Sequence, residues 1–297
     1  MSGLAFAIPR RALLAGAAAG GWRPAGAAEA LRMAGPRDEN DHRHEYPMAL
    51  ARLALEAGGL PLPMEPVAGL TQPRIADELR GGALDVAVLA TAGQDASGLA
   101  VVRQPVRRGL LGVRLLLARR ELAETLSRVR SLRELQRYRL GYGADWADLE
   151  RMRQVGFRVE PSTSYTGLFR MLALGRFDFL SRGVNEVWAE VDHPLLVPHG
   201  IVVVPRIALF YPLDDYFYVN PQRTDVAAAL ETGLRRIRRD GRFTRLFMSF
   251  FGRGLERADL KRRQVYAVHG YGVEPQTPLE DFDVLQLEPS QGRFQTP

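Results

Sequence analysis

Apolar positions along this chain change period at intervals, and the changes mark out elements. Leu31-Arg32-Met33-Ala34 alternates as a short strand does, and the polar run from Gly35 through Arg37 and Asp38 to His42 follows it as a loop. Leu50, Leu53, Ala54 and Ala57 then recur at helical spacing until Gly58-Gly59 stops them. Met64–Val67 predicts a second strand. Thr71 predicts the cap of a helix carrying Ile75, Ala76 and Leu79, which ends at Gly81-Gly82. Residues 84–89 (LDVAVL) read as a buried strand that runs into Thr91-Ala92-Gly93-Gln94-Asp95. This β-α-β-α-β alternation predicts a parallel sheet.

The period then changes. Residues 109–118 (GLLGVRLLLA) read as a long strand leaving the first unit, and residues 122–135 as mostly helical. Arg139-Leu140-Gly141-Tyr142-Gly143 opens a second unit: strand, glycine turn, a helix near 146–155 and a strand near 158–160. Residues 167–186 (GLFRMLALGRFDFLSRGVNE) continue it. They predict a helix with Leu168, Met171 and Leu172 that ends at Gly175, then a covered strand at 177–180, then a polar loop holding Arg182, Gly183, Asn185 and Glu186. Val184, Val187, Trp188 and Val191 predict the helix after it. Residues 201–211 read as a return crossing and 216–221 as a further strand. Thr224 caps a helix with Val226, Leu230, Gly233, Leu234 and Ile237 on one face, broken at Asp240-Gly241. Phe243, Leu246, Phe247 and Phe250 form one more amphipathic set. Beyond Arg253 the signal weakens, and residues 270–297, with four prolines, read as an extended strap or a partly disordered segment.

Composition narrows the classes. A chain of 297 residues, 46% hydrophobic and 25% charged, suits one large domain or two lobes. With no cysteine, disulfides, zinc-thiolate sites and thiol nucleophiles are excluded. Arg10-Arg11 precedes an alanine-rich run, and Ala25-Gly26-Ala27 follows as an A-x-A cleavage pattern. Residues 1–27 therefore read as a secretory signal whose paired arginines resemble the twin-arginine type, and the expected location is the periplasm. Cleavage removes three arginines and no acid, halving the net charge of +6, so the pI of about 9.9 overstates the basicity of what remains. The arginines are scattered with no basic-aromatic stripe, which argues against a nucleic-acid partner. Arg114 and Arg206 interrupt the later apolar runs, so no membrane-spanning segment is expected.

The order of units resembles the type II periplasmic solute-binding fold, and the pieces are similar to the extracellular solute-binding proteins of family 3. The resemblance is carried by Gly82-Ala83-Leu84-Asp85-Val86, by residues 132–143 (LRELQRYRLGYG), by Leu174-Gly175-Arg176-Phe177-Asp178 and by Tyr218-Val219-Asn220-Pro221. Gly233-Leu234, Asp240-Gly241-Arg242-Phe243 and Leu246-Phe247 complete it. It spans roughly residues 30–252 and implies an α/β chain with a two-lobed type II periplasmic-binding-protein fold and two interlobe crossings. Residues 28–104 and 212–252 would form the first lobe, 105–211 the second, and 253–297 a C-terminal extension. It also implies a protein that closes on a small molecule, is not an enzyme and needs no cofactor or metal. The expected role is the binding component of an ABC-type uptake system; the alternative is a periplasmic sensor or accessory protein that keeps the fold without transport. Expected partners are the small-molecule ligand and an ABC permease or a membrane sensor, with the chain itself a monomer.

Two features of the family's amino-acid clamp are altered. No arginine follows Thr91 until Arg103, and the position about five residues beyond Asp178 holds Arg182-Gly183 where amino-acid binders of the family place an aspartate. An ammonium would be repelled there, so common α-amino acids are expected to bind poorly. Four loops, at 35–42, 91–95, 141–146 and 181–186, are expected to meet in the cleft, offering Arg37, Thr91, Tyr142, Asp145, Trp146, Arg182, Asn185 and Glu186 as ligand-binding candidates. Arg182 can take an anion in two-pronged fashion, or can pair with Glu186 four residues on. Tyr142 and Trp146 can stack on a planar ligand or pack against the lobe. Asp145 caps the helix that would otherwise offer free N–H groups. His42-Arg43-His44 is better read as a solvated loop than as a metal site. No nucleophile elbow or dinucleotide-binding glycine motif is present.

Overall fold

A computed structural model describes residues 30–36, 42–90, 97–144, 146, 148–193, 198, 200–211 and 213–268. The first unit contains β1 (Leu31–Ala34), α1 (Glu45–Gly58), β2 (Met64–Val67), α2 (Gln72–Arg80), β3 (Val86–Ala90) and β4 (Ala100–Val102). The second contains β5 (Val113–Arg119), α3 (Arg120–Leu126), α4 (Leu132–Leu135), β6 (Arg139–Gly143), α5 (Leu149–Gln154), β7 (Arg158–Ser162), α6 (Tyr165–Ala173), β8 (Phe179–Gly183), α7 (Val184–Val191), β9 (Ile201–Val203) and β10 (Ile207–Phe210). β11 (Asp215–Val219), α8 (Thr224–Arg239), α9 (Arg242–Ala258) and β12 (Gln264–Ala267) follow.

The strands form two sheets. One has the order β2-β1-β3-β11-β4; the other runs β12-β10-β5-β8-β6-β7, with β9 also on β5. In each sheet the three strands of the β-α-β-α-β unit are parallel, and a strand from an interlobe crossing pairs antiparallel with the third: β11 on β3, and β5 on β8. The first crossing runs from β4 to β5 and the second from β10 to β11. α9 and β12 then carry the chain to the second sheet a third time, a passage the weakening signal after Arg253 did not indicate. Its cause is long-range: β12 lies parallel on β10, and Tyr266 donates its hydroxyl to the Val129 carbonyl 2.6 Å away. Residues 1–27 and 270–297 lie outside the described residues.

The two halves repeat one local device. In the first, Asp85 accepts the backbone N–H of Arg32 at 2.8 Å while the Arg32 guanidinium reaches the Gly82 carbonyl at 2.7 Å. In the second, Asp178 accepts the N–H of Arg139 at 2.7 Å and Arg139 reaches the Gly175 carbonyl at 3.0 Å. The Gly-x-x-Asp pattern on which the resemblance rested is thus a structural clamp. The glycine reverses the chain after a helix, and the aspartate ties the third strand to the first. Neither carboxylate is spare for chemistry.

Helix α1 packs on α8 backbone to backbone. A Cβ on Gly233 would stand 1.8 Å from the Ala54 carbonyl oxygen, and one on Gly58 would stand 2.1 Å from that of Ala229. Only glycine permits this approach. The first lobe is thereby closed by a helix from the far end of the chain, and Phe243 and Phe247 of α9 extend the same core.

Three local differences from the sequence reading have physical causes. Residues 109–112 are a turn rather than strand, because Arg108 and Gly109 both have left-handed backbones. Residues 201–211 form two strands, split where Arg206 adopts φ 64°. The covered strand in the second lobe covers residues 179–183, so Arg182 and Gly183 end the strand and are not in a loop.

Candidate functional site

Ligands in open α/β sheets sit outside the carboxyl ends of the parallel strands. In the second lobe that edge is formed by Gly143, Trp146, Gly183, Asn185 and Glu186, backed by β5. The site is best built from Arg182. Its position in β8 places the side chain beneath α7, which folds back over the strand it follows. Arg182 is 4% exposed. Its Nε lies 2.9 Å from both Glu190 oxygens, and its Nη2 contacts Glu190 and lies 3.2 Å from Glu186 Oε2. The Trp146 and Tyr165 rings flank the guanidinium at 4.9 and 5.6 Å. Tyr165 donates its hydroxyl to Glu190 at 2.6 Å.

These contacts set the charge states. Burial opposes the charge on Arg182, but Glu186 and Glu190 outweigh it and hold the guanidinium firmly protonated. Burial also pushes Glu186 up; Arg182, then Arg114 and Arg43, outweigh that and keep its carboxyl below the usual range. Arg43 precedes α1 in the first lobe, so Glu186 feels charge from across the cleft. The ion pair between Arg182 and Glu186 foreseen from their four-residue spacing is present, though it joins a strand to a helix. The stronger partner is Glu190, which sequence reasoning missed. Its signal was its place one turn beyond Glu186 on the same helix face. The free guanidinium expected of Arg182 is not what the fold presents: Nε and Nη2 both face carboxylates.

The same edge holds a second buried arginine. Arg114 of β5 is 5% exposed; its Nη1 donates to the Leu111 carbonyl at 3.1 Å and lies 3.9 Å from Glu186 Oε2. Its guanidinium carbon stands 5.7 Å from the centre of the Tyr211 ring. Its Nε has no hydrogen-bond partner among the described residues, nor do the buried atoms Asn185 Oδ1 and Ser181 Oγ. Gly183 opens the space between these groups. A Cβ there would lie 2.4 Å from Asn185 Oδ1, 3.1 Å from Arg114 Nη1 and 3.3 Å from Glu186 Oε2. Glu186 accepts the Gly183 N–H at 3.3 Å and so occupies the anion position at the start of α7 itself. Arg114 was visible in the sequence as an arginine inside the apolar run GLLGVRLLLA, the mark of a charge carried into a core.

Of the other candidates, Tyr142 is fully buried; its hydroxyl donates to Asp148 at 2.6 Å, and its ring meets Trp146 edge-on at 4.7 Å. Tyr142 thus supports the edge from beneath, while Trp146, Arg182, Asn185 and Glu186 are brought together at it. Arg37, Thr91 and Asp145 lie outside the described residues. His44 ends a short turn before α1, and no metal-binding group of acidic and histidine side chains occurs among the described residues.

Two lobes joined by crossings, with polar groups on the strand edge between them, define the periplasmic-binding-protein fold. Solved structures of that fold match this chain. A histidine kinase sensor domain with similarity to periplasmic binding proteins is 18% identical, with a TM-score of 0.55 over 76% of this chain and 97% of its own. The periplasmic VFT2 domain of Bordetella pertussis BvgS is 16% identical, with a TM-score of 0.57 over 75% of this chain and 92% of its own. An ancestral arginine-binding protein bound to arginine is 16% identical, with a TM-score of 0.53 over 76% of this chain and 100% of its own. No protein-family model and no curated protein matches the sequence. No helix among the described residues is long and apolar enough to cross a membrane.

Proposed function

We propose that this chain is an exported, periplasmic solute-binding protein whose lobes close on a small polar ligand. One observation carries the reading: at the strand edge facing the other lobe, Arg114 Nε, Asn185 Oδ1 and Ser181 Oγ are buried without partners around the gap left by Gly183. Buried polar atoms are normally satisfied, and three together are what a ligand or ordered water would complete. Closure follows when the ligand contacts both lobes and so favours the closed state. The similarity to binding and sensor domains supports the reading at the level of fold.

An anion held by Arg182 is not part of this proposal, since taking it would mean giving up the contacts to Glu190 and Glu186. Uptake with an ABC permease is the role the sequence resemblance implies. A sensor or accessory role is the second reading, supported by the third passage between lobes. α9 packs on α1 through Phe247 and Phe251 against Tyr46, then on α7, where Trp188 donates to the Gly254 carbonyl at 2.8 Å and Arg257 pairs with Asp192. One continuous helix bound to both lobes converts their closure into movement of the C-terminal segment. A thermal-shift screen of small polar metabolites, followed by small-angle scattering with each hit, tests the binding step. The expected result is a ligand that raises the melting temperature and shrinks the radius of gyration. A library with no stabilising compound would sink it.

A further inference from the structure

We propose that the second-lobe edge recognises an uncharged ligand carrying hydroxyl or amide groups, read by Arg114 Nε, Ser181 Oγ and Asn185 Oδ1. The inference rests on the ligand-binding reading above and specifies its chemistry.

The argument begins with charge. Arg182 is matched by Glu190 and Glu186, and Arg114 has Glu186 at 3.9 Å. Glu186 stays ionised through Arg182, Arg114 and Arg43. The N-terminus of α7, which would otherwise attract a ligand carboxylate or phosphate, already holds that carboxylate against the Gly183 N–H. An incoming anion would face both Glu186 and the Asn185 carbonyl oxygen across the Gly183 gap. An incoming ammonium would face two buried guanidinium groups. Either charge would be desolvated without gaining a free counter-charge.

The hydrogen-bond inventory comes next. Arg114 Nε offers one N–H donor, Asn185 Oδ1 one acceptor and Ser181 Oγ either role. Ser181 is fully buried and lies two residues before Gly183, on the same face of β8. A partner must therefore accept at one atom and donate at another. Hydroxyl and amide groups do both without net charge; a carboxylate only accepts and an ammonium only donates. Gly183 supplies the room, because any side chain there would collide with Asn185 and Arg114.

The test is isothermal calorimetry and thermal shift on the full chain with two probe sets. The uncharged set is glycerol, erythritol, ribose, glucose and acetamide; the charged set is acetate, succinate, inorganic phosphate, putrescine, glutamate and arginine. Stabilisation by members of the uncharged set alone is expected. Ser181→Ala and Asn185→Ala are the informative variants, because neither removes a hydrogen bond present within the protein at these atoms. Each should fold as the parent does and bind its probe roughly tenfold more weakly, the worth of one hydrogen bond. Arg114→Gln is a harsher third variant. Binding of a charged probe without an uncharged one overturns the assignment while leaving a ligand-closing protein. Uncharged binding indifferent to Ser181 and Asn185 overturns the site. Silence toward both sets overturns the assignment together with the reading beneath it.

Discussion

Replacing Asp214 by asparagine perturbs the point where the two crossings between the lobes touch. Asp214 is fully buried. Its Oδ1 accepts the N–H of Arg107 at 2.8 Å and of Asp215 at 2.6 Å, and its Oδ2 accepts the N–H of Gly109. The carboxylate therefore brackets Arg108 and Gly109, whose φ values of 58° and 82° are left-handed. The groups around it are Asp215 and Arg107, paired at 2.7 Å, with Tyr46, which donates to the Val106 carbonyl, and Arg108, which donates to Thr244. Burial and the neighbouring Asp215 charge push the Asp214 carboxyl up from 3.8 to about 7, against the N–H groups of Gly109 and Arg107 and the charge of Arg107. The folded value lies above the unfolded one, so between these two pH values the native state holds a proton that the unfolded chain has released. The stability this contributes is full below pH 3.8 and is lost as pH rises through 7, with a slope of at most about 1.4 kcal/mol per pH unit. Asparagine cannot titrate, and its amide nitrogen would face the Gly109 N–H, an unmet donor costing about 1–3 kcal/mol. Urea unfolding at fixed ionic strength from pH 5 to pH 8 measures both effects. The variant should be less stable at pH 5, and the gap should narrow by roughly 2 kcal/mol or more by pH 8. Parallel curves for the two proteins would refute the assignment of a titrating carboxyl to the hinge.

Three further outcomes are expected. Glu190→Ala leaves the Arg182 guanidinium buried beside Glu186 alone and should cost about 3–5 kcal/mol in chemical denaturation; the double change with Arg182→Met should recover much of that. Gly233→Ala drives a methyl into the Ala54 carbonyl and should destabilise by about 1–3 kcal/mol, seen as a lower urea midpoint with unchanged slope. Trp188→Ala removes the donor to Gly254 and the ring beneath Arg257, and hydrogen exchange should speed in the second half of α9 with little change in α8.

Local chemistry was legible because it is written at short range. Amphipathic spacing marked α1, α8 and the start of α9, and the two Gly-x-x-Asp turns marked equivalent points in the two halves. Each needs only neighbours within a few residues. The glycine at 183 and the arginine at 182 were correctly singled out as unusual, but the environment of Arg182 was not legible. Whether a strand continues two residues further decides whether its last side chain lies under a helix or in solvent, and that is set by pairing with β5.

What the sequence determined by itself is the order of the elements and the two-lobed fold that order implies, since helical and strand periods, glycine stops and apolar runs act locally. The tertiary structure decided which charges are spent and which remain. Glu190 meets Arg182 because α7 folds back over β8; Arg114 is buried because β5 lies between β8 and β10; β12 joins the second sheet because β10 presents it an edge. Each of these joins residues through the packing of whole elements, and electrostatic partners are chosen by distance in space, to which separation along the chain gives no guide.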